Sequence, residues 1–235
     1  DKFLNGLKNI IPNEKDRYKK IIEECLYFSD INSTNIFICK LLLNKYENDY
    51  KLNYNTGDTL KINIKNIWNI DGFDAIIGNP PFQSCRINVN SKGGGGDLLW
   101  NKFILESINK WLLSDGYLLF VNPSIWRKPL GLDIINKSKC LDLYNMMTHD
   151  NQLLYLNIND TKQGLKTFQM GTRFDYYLME KKKPYKKTII IDEENKKILI
   201  DLSITQFLPN KNINLIMDLL SYNKENNIKI LKNGS

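Results

Sequence analysis

A chain of 235 residues, 42% hydrophobic and 25% charged, is long and apolar enough to bury a core and has the composition of a soluble globular domain. Its longest apolar runs, residues 74–78 and 116–121, are too short for a membrane span. Four scattered cysteines (Cys25, Cys39, Cys85, Cys140) and a single histidine, His149, exclude a disulfide framework, a zinc site and a Ser-His-Asp or Cys-His centre, so no metal is expected and a reduced, cytoplasmic setting is. A formal net charge of +7 permits a polyanionic partner, although a sequence this rich in Lys, Asn and Ile carries such charge without one.

In chain order, residues 1–9 read as the interior of a helix without its start, and the chain is expected to be a fragment. Residues 14–31, EKDRYKKIIEECLYFSDI, carry apolar residues at helical spacing and then the run Cys25–Phe28, a short strand ending at Ser29-Asp30. A second helix follows, with Ser33 or Thr34 as N-cap and an apolar stripe through Ile36, Phe37, Leu41 and Leu42. Residues 50–60 alternate as a half-buried strand and finish at Asp58 beside Gly57. FDAIIGNPP, from Phe73, reads as a strand covered on both faces. An amphipathic helix at 97–113 and another apolar strand, GYLLFVNPSIW, come after it. Residues 153–159 and 172–180 are strands separated by a loop, and 187–202 form a hairpin around Glu193–Asn195.

Strands alternating with helices imply an α/β fold with a doubly wound, mostly parallel sheet, in which ligands sit beyond the carboxyl ends of the strands. Those ends carry Asp30, Asp58, Asn79 and Pro123.

The corner Asn79-Pro80-Pro81-Phe82 gives this alignment its chemistry. Two prolines fix φ and donate nothing, so the nearby carbonyls are preset acceptors; Asn79 adds a second acceptor and Phe82 a flat face. Such a corner suits a planar group bearing an NH2. Accepting both hydrogens of a nucleobase amine at Asn79 and at the Pro80 carbonyl favours a pyramidal nitrogen with a localised lone pair, ready for a methyl donor held in line.

NPPF after an apolar strand resembles motif IV of the N6-adenine DNA methyltransferases. SDIN at 29–32 is similar to their ribose-holding strand end and GDTL at 57–60 to the acid near the cofactor's adenine. FQMGTRFDYYLMEK at 168–181 resembles their late motif. Over roughly residues 20–182, order and spacing look like the gamma-type enzymes of restriction-modification systems, including those fused to an endonuclease.

The resemblance implies a Rossmann-like class I methyltransferase using S-adenosyl-L-methionine. Asp30, Ile31, Asp58, Thr59 and Asn79 would hold the cofactor, and Asn79, Pro80, Pro81 and Phe82 would form the catalytic corner. Phe82, Phe168 and Phe174 would stack on an adenine extruded from DNA. It places Asp97 and Leu98 at the cofactor's border, Pro123 at the pocket, and the lysines at 181–183, 186 and 187 where phosphate contacts begin. SKGGGGD at 91–97, which lacks the Lys-Ser/Thr of a P-loop, reads as a mobile loop at the site's mouth.

The expected organisation is a catalytic domain over 1–182 and, over 183–235, a hairpin and the start of a target-recognition or appended region, with a fused or partner endonuclease. The family's glycine-containing first turn is not found before residue 30. Either the first strand lies outside this sequence or cofactor binding has been lost. N-P-P-aromatic corners also occur in methyltransferases of RNA bases and of protein glutamine, and a non-catalytic nucleic-acid-binding remnant is a further alternative.

Overall fold

In the computed structural model, which describes residues 2–44, 50–82, 99–127 and 140–219, the chain forms two units, residues 1–71 and 72–235. The first opens with α1 (Lys2–Gly6) and α2 (Glu14–Lys20), the latter started by Asn13, whose side chain accepts from Lys15 N and Asp16 N. A wider helical turn, Ile21–Cys25, leads into β1 (Tyr27–Asp30). β1 pairs in parallel with β2 (Asn53–Thr56), setting Asp30 opposite Thr56.

Between them lies α3 (Ser33–Leu43), capped one residue earlier than expected, by Asn32 accepting from Thr34 N. Asp30 Oδ1 accepts Asn32 N at 2.7 Å and fixes that turn before Ser33 is reached. Ile36 of the expected stripe is buried, but Phe37, Leu41 and Leu42 are exposed. After β2, Asp58 caps a short turn at Thr59–Lys61, and α4 (Ile64–Trp68) closes the unit.

The second unit is a six-stranded sheet. Its strands are β3 (Phe73–Gly78), β4 (Leu112–Pro123), β5 (Gln152–Asn159), β6 (Phe174–Glu180), β7 (Thr188–Ile191) and β8 (Lys197–Ile200), in the order β3-β4-β6-β5-β7-β8. β3/β4 and β5/β7 are parallel, whereas β4/β6, β5/β6 and β7/β8 are antiparallel, so the sheet is mixed. The expected hairpin is β7–β8, turning at Asn195 with φ 61°, and it continues this sheet.

α5 (Leu99–Glu106) and α6 (Cys140–Asn145) pack on the sheet over a core that includes Trp100, Ile104, Leu118, Trp126, Leu143, Leu156 and Tyr177. α7 (Thr161–Phe168) occupies the stretch read from sequence as a loop, and α8 (Ile213–Leu219) follows β8. β3 also departs from expectation. Among the described residues it hydrogen-bonds only to β4, and Asp74, Ala75 and Ile77 are exposed rather than covered, Ile77 to 76%.

Registers bring one edge of this unit together. Gly78 pairs with Phe120, three residues short of Pro123, and Phe174 lies opposite both Pro123 and Asn159. The carboxyl ends of β3, β4 and β5 and the start of β6 therefore share one rim.

Candidate active site

At that rim lies a cavity of about 890 Å³ lined by Asn79, Pro80, Pro81 and Phe82, by Trp100, by Pro123–Ile125, and by Thr161, Phe168, Met170–Arg173 and Asn210. The backbone stops hydrogen-bonding as strand after Gly78 and the prolines fix the turn. Pro80 is buried, whereas Asn79 is exposed and has no side-chain partner among the described residues. Its carboxamide is therefore open to solvent at the cavity.

Phe82 meets Phe168 edge to face, centroids 6.1 Å apart at 66°, and Phe168 meets Phe174 at 4.9 Å and 81°. Phe82 and Phe168 line the cavity. Phe174, only 5% exposed, lies behind them in the sheet and braces Phe168 rather than presenting a face. Pro123 lines the cavity as expected, and Trp100 does so while fully buried.

Five cavity residues that sequence reasoning passed over come from α7 and its return. Asp160 caps α7 by accepting from Gln163 N at 2.8 Å, the helix ends at Gln169 with φ 56°, and Met170–Arg173 fold back against it. Gly164 permits that approach, since a Cβ there would lie 2.1 Å from the Thr172 carbonyl oxygen. The signal was present in Asp160-x-x-Gln163, an acceptor followed three residues later by Gln, as helix starts prefer.

Behind the cavity, Arg127 and Asp175 form a fully buried ion pair: Nε donates to Oδ2 at 2.6 Å and Nη2 to Oδ1 at 3.1 Å. Burial pushes the Asp175 carboxyl above its usual range and the Arg127 guanidinium draws it back. Arg173, at the rim, donates from Nε to Glu193 Oε1 at 2.6 Å.

In residues 1–71, the four remaining cofactor candidates gather at the carboxyl ends of β1 and β2. Asp30 Oδ1 accepts Asn32 N and Oδ2 accepts Asn35 Nδ2 at 3.0 Å, which fixes the carboxylate's orientation while each oxygen keeps a lone pair free. Ile31 is 74% exposed. Asp58 accepts Leu60 N and pairs with Lys61 at 3.4 Å. The Thr59 hydroxyl meets that of Ser29 at 2.8 Å, tying the two strand ends together. Of the lysine cluster, Lys181 donates to the Leu112 carbonyl, Lys182 pairs with Asp115 and Lys183 with Asp150; Lys186 stands 5.1 Å from the Tyr185 ring. Asp97, Leu98 and the four-glycine stretch lie outside the described residues.

Residues 24–151, just over half of the chain, match the family model of the Eco57I restriction-modification methylases. An uncharacterized adenine-specific methylase of Mycoplasma pneumoniae is 27% identical over 127 residues, covering 53% of this chain and 29% of its own length. Among solved structures, the M protein of the type I restriction enzyme EcoKI superposes with a TM-score of 0.56 at 14% identity, over 80% of this chain and 39% of that one. A modification subunit of a putative type I restriction enzyme from Vibrio vulnificus does so at 0.52 and 12%, over 75% and 37%. The chain thus spans under a third of the curated relative and about two fifths of these structures, whose likeness shows the fold. With its strand-end acids, its Asn-Pro-Pro-Phe corner and the family match on the same residues, this chain belongs to the Eco57I restriction-modification methylase family.

Proposed function

We propose that this chain is part of an enzyme that transfers a methyl group from S-adenosylmethionine to N6 of adenine in DNA, within a restriction-modification system. The observation that carries the proposal is the free, exposed carboxamide of Asn79 at a cavity walled by Pro80, Phe82 and Phe168. The relative named an adenine-specific methylase supports the same substrate.

The adenine leaves the helical stack and enters the cavity, where Phe82 and Phe168 support its faces. Asn79 Oδ1 and the Pro80 carbonyl accept the two amine hydrogens. The lone pair is thereby localised, and two preset dipoles meet the positive charge that grows on nitrogen. The spare proton leaves to solvent past these acceptors, and no histidine is needed. Asp30 and Asp58, which when ionised only accept, fit the hydroxyl and amine donors of a nucleoside; with Ile31 and Thr59 they would hold the cofactor. S-adenosylmethionine, when bound, supplies an electrophilic methyl group. Site choice is assigned to the region after residue 182, whose exposed lysines would contact phosphate, and to a target-recognition part beyond it; an endonuclease is the expected fused or bound partner.

The test is transfer of labelled methyl groups by the full-length protein to duplex DNA, to RNA and to protein, with Asn79→Ala alongside. DNA adenine should be the acceptor, and Asn79→Ala should lower kcat by about a thousandfold or more with folding unchanged. Labelling of RNA or glutamine alone, no cofactor binding, or near-normal activity of Asn79→Ala would each defeat the proposal.

A further inference from the structure

The buried guanidinium of Arg127 is shared between two tasks. Its Nε and one Nη2 hydrogen hold Asp175, and Nη1 donates to the Leu208 carbonyl at 3.0 Å and the Pro209 carbonyl at 3.4 Å. The remaining Nη2 hydrogen goes to the side-chain oxygen of Asn210 at 3.0 Å. All five donors are thus used.

A guanidinium only donates, so it selects the oxygen of the Asn210 carboxamide and turns the amine away. That Nδ2 amine has no partner among the described residues, and Asn210 lines the same cavity as Asn79 and Phe82. The backbone beneath it is pinned as well: Leu208 N donates to the Arg127 carbonyl and Glu193 N to the Asn210 carbonyl, both at 3.1 Å. Asn210 is therefore a preorganised donor in a site whose corner, Asn79 and Pro80, offers acceptors.

We infer that Asn210 is a specificity-determining residue that donates from Nδ2 to a ring nitrogen of the extruded purine, with Arg127 as its positioning residue. The inference rests on the adenine reading above and extends it. A corner of acceptors alone grips any NH2 group, cytosine's included; a fixed donor facing a ring nitrogen adds a requirement for the base behind that amine. Nothing local in the sequence marks Asn210, which lies 83 residues from its orienting partner.

The experiment uses the full-length protein and duplexes in which the target adenine is replaced by 1-deaza-, 3-deaza- or 7-deaza-adenine, with wild type, Asn210→Ala and Asn210→Asp. Asp keeps an oxygen for Arg127 and removes the donor, so it tests the amine where Ala alone tests the whole side chain. One analogue should lower wild-type kcat/KM about tenfold, and that analogue should cost neither variant anything further. Asn210→Asp, which keeps an acceptor for Arg127, should unfold near the wild-type temperature, whereas Asn210→Ala leaves one buried Arg127 donor unpaired and should unfold lower. Equal penalties in wild type and variants, wild-type indifference to all three analogues, or an analogue penalty retained by Asn210→Asp would overturn the inference while leaving adenine methylation intact. Failure to methylate unmodified adenine would overturn both readings and is seen in the control lane.

Discussion

Replacing Arg127 by Met is the sharpest probe of how the second unit is held. Met fills much of the aliphatic stem's volume and removes the guanidinium, leaving an Asp175 carboxylate that is 0% exposed and has lost both its charge partner and two hydrogen bonds. Breaking a buried pair from one side costs about 3–5 kcal/mol, because the surviving charge can be neither solvated nor compensated. The carbonyls of Leu208 and Pro209 and the Asn210 oxygen lose their donor too, which sets the expectation at the upper end of that range. At roughly 2–4 °C per kcal/mol for a chain of this size, the melting temperature should fall by about 10–20 °C.

The pH dependence identifies the cause. Burial raises the Asp175 carboxyl above its unfolded value, so the folded state binds the proton more readily. Stability therefore falls as pH rises between the unfolded and folded values. Removing Arg127 removes what draws that value back, extending the window upward. The penalty of Arg127→Met should thus be smaller at about pH 5 than at about pH 8, and adding Asp175→Asn should recover part of it. Urea unfolding followed by circular dichroism reads both effects. A loss under about 1 kcal/mol, or the same loss at both pH values, would show that the buried carboxylate does not govern the cost.

Three further substitutions have expected outcomes. Gly164→Ala should destabilise by about 1–3 kcal/mol or more, since its Cβ would meet backbone oxygens of Thr172 at 2.1 Å and Met170 at 2.9 Å. Lys166→Ala on the exposed face of α7 should change stability by less than about 0.5 kcal/mol, and urea midpoints compare the two. Asp30→Ala should weaken S-adenosylmethionine binding by about ten- to a hundredfold in isothermal titration of the full-length protein; unchanged affinity would remove Asp30 from the cofactor site.

What was legible in the sequence was what local pattern carries. The run read from Cys25 to Phe28 and ending at Asp30 becomes a strand only from Tyr27, since Cys25 closes the preceding helical turn, whereas the runs at 73–78 and 116–123 lie in strands; the residues ending them are Asp30, Asn79 and Pro123. Asn195 turns the hairpin where turn chemistry placed it. α7 was missed because its apolar content is low and Gly164 sits in its middle, although both the cap at Asp160 and the amphipathic spacing of the helix announce it. The exposure of β3 was missed because a continuous apolar run does not say how many neighbours a strand has. Arg127, Asp175 and Asn210 were illegible for a different reason. Each is an ordinary polar residue in sequence, and only pairings across 48 and 83 positions make them one network.

Among the described residues β3 is paired only to β4, which raises the question of what would hold Asn79 in the position that the proposed methyl transfer requires, because a ladder on one side leaves the strand's end half restrained. Three features answer it. The prolines remove φ freedom at the two positions after Asn79, and Pro80 is buried, so the turn cannot swing without opening packed surface. Phe82 then reaches Phe168 on α7, and Phe168 reaches Phe174, whose strand β6 is hydrogen-bonded on both sides, to β4 and β5. Each edge-to-face contact contributes only about 0.5–1.5 kcal/mol, but the chain of rings ties the carboxyl end of β3 to the middle of the sheet. On this view Phe82 serves position as well as stacking. Phe82→Leu, which keeps apolar bulk and loses the aromatic edge, should lower kcat on adenine more than it weakens DNA binding; equal losses would mean that the ring acts on the base alone.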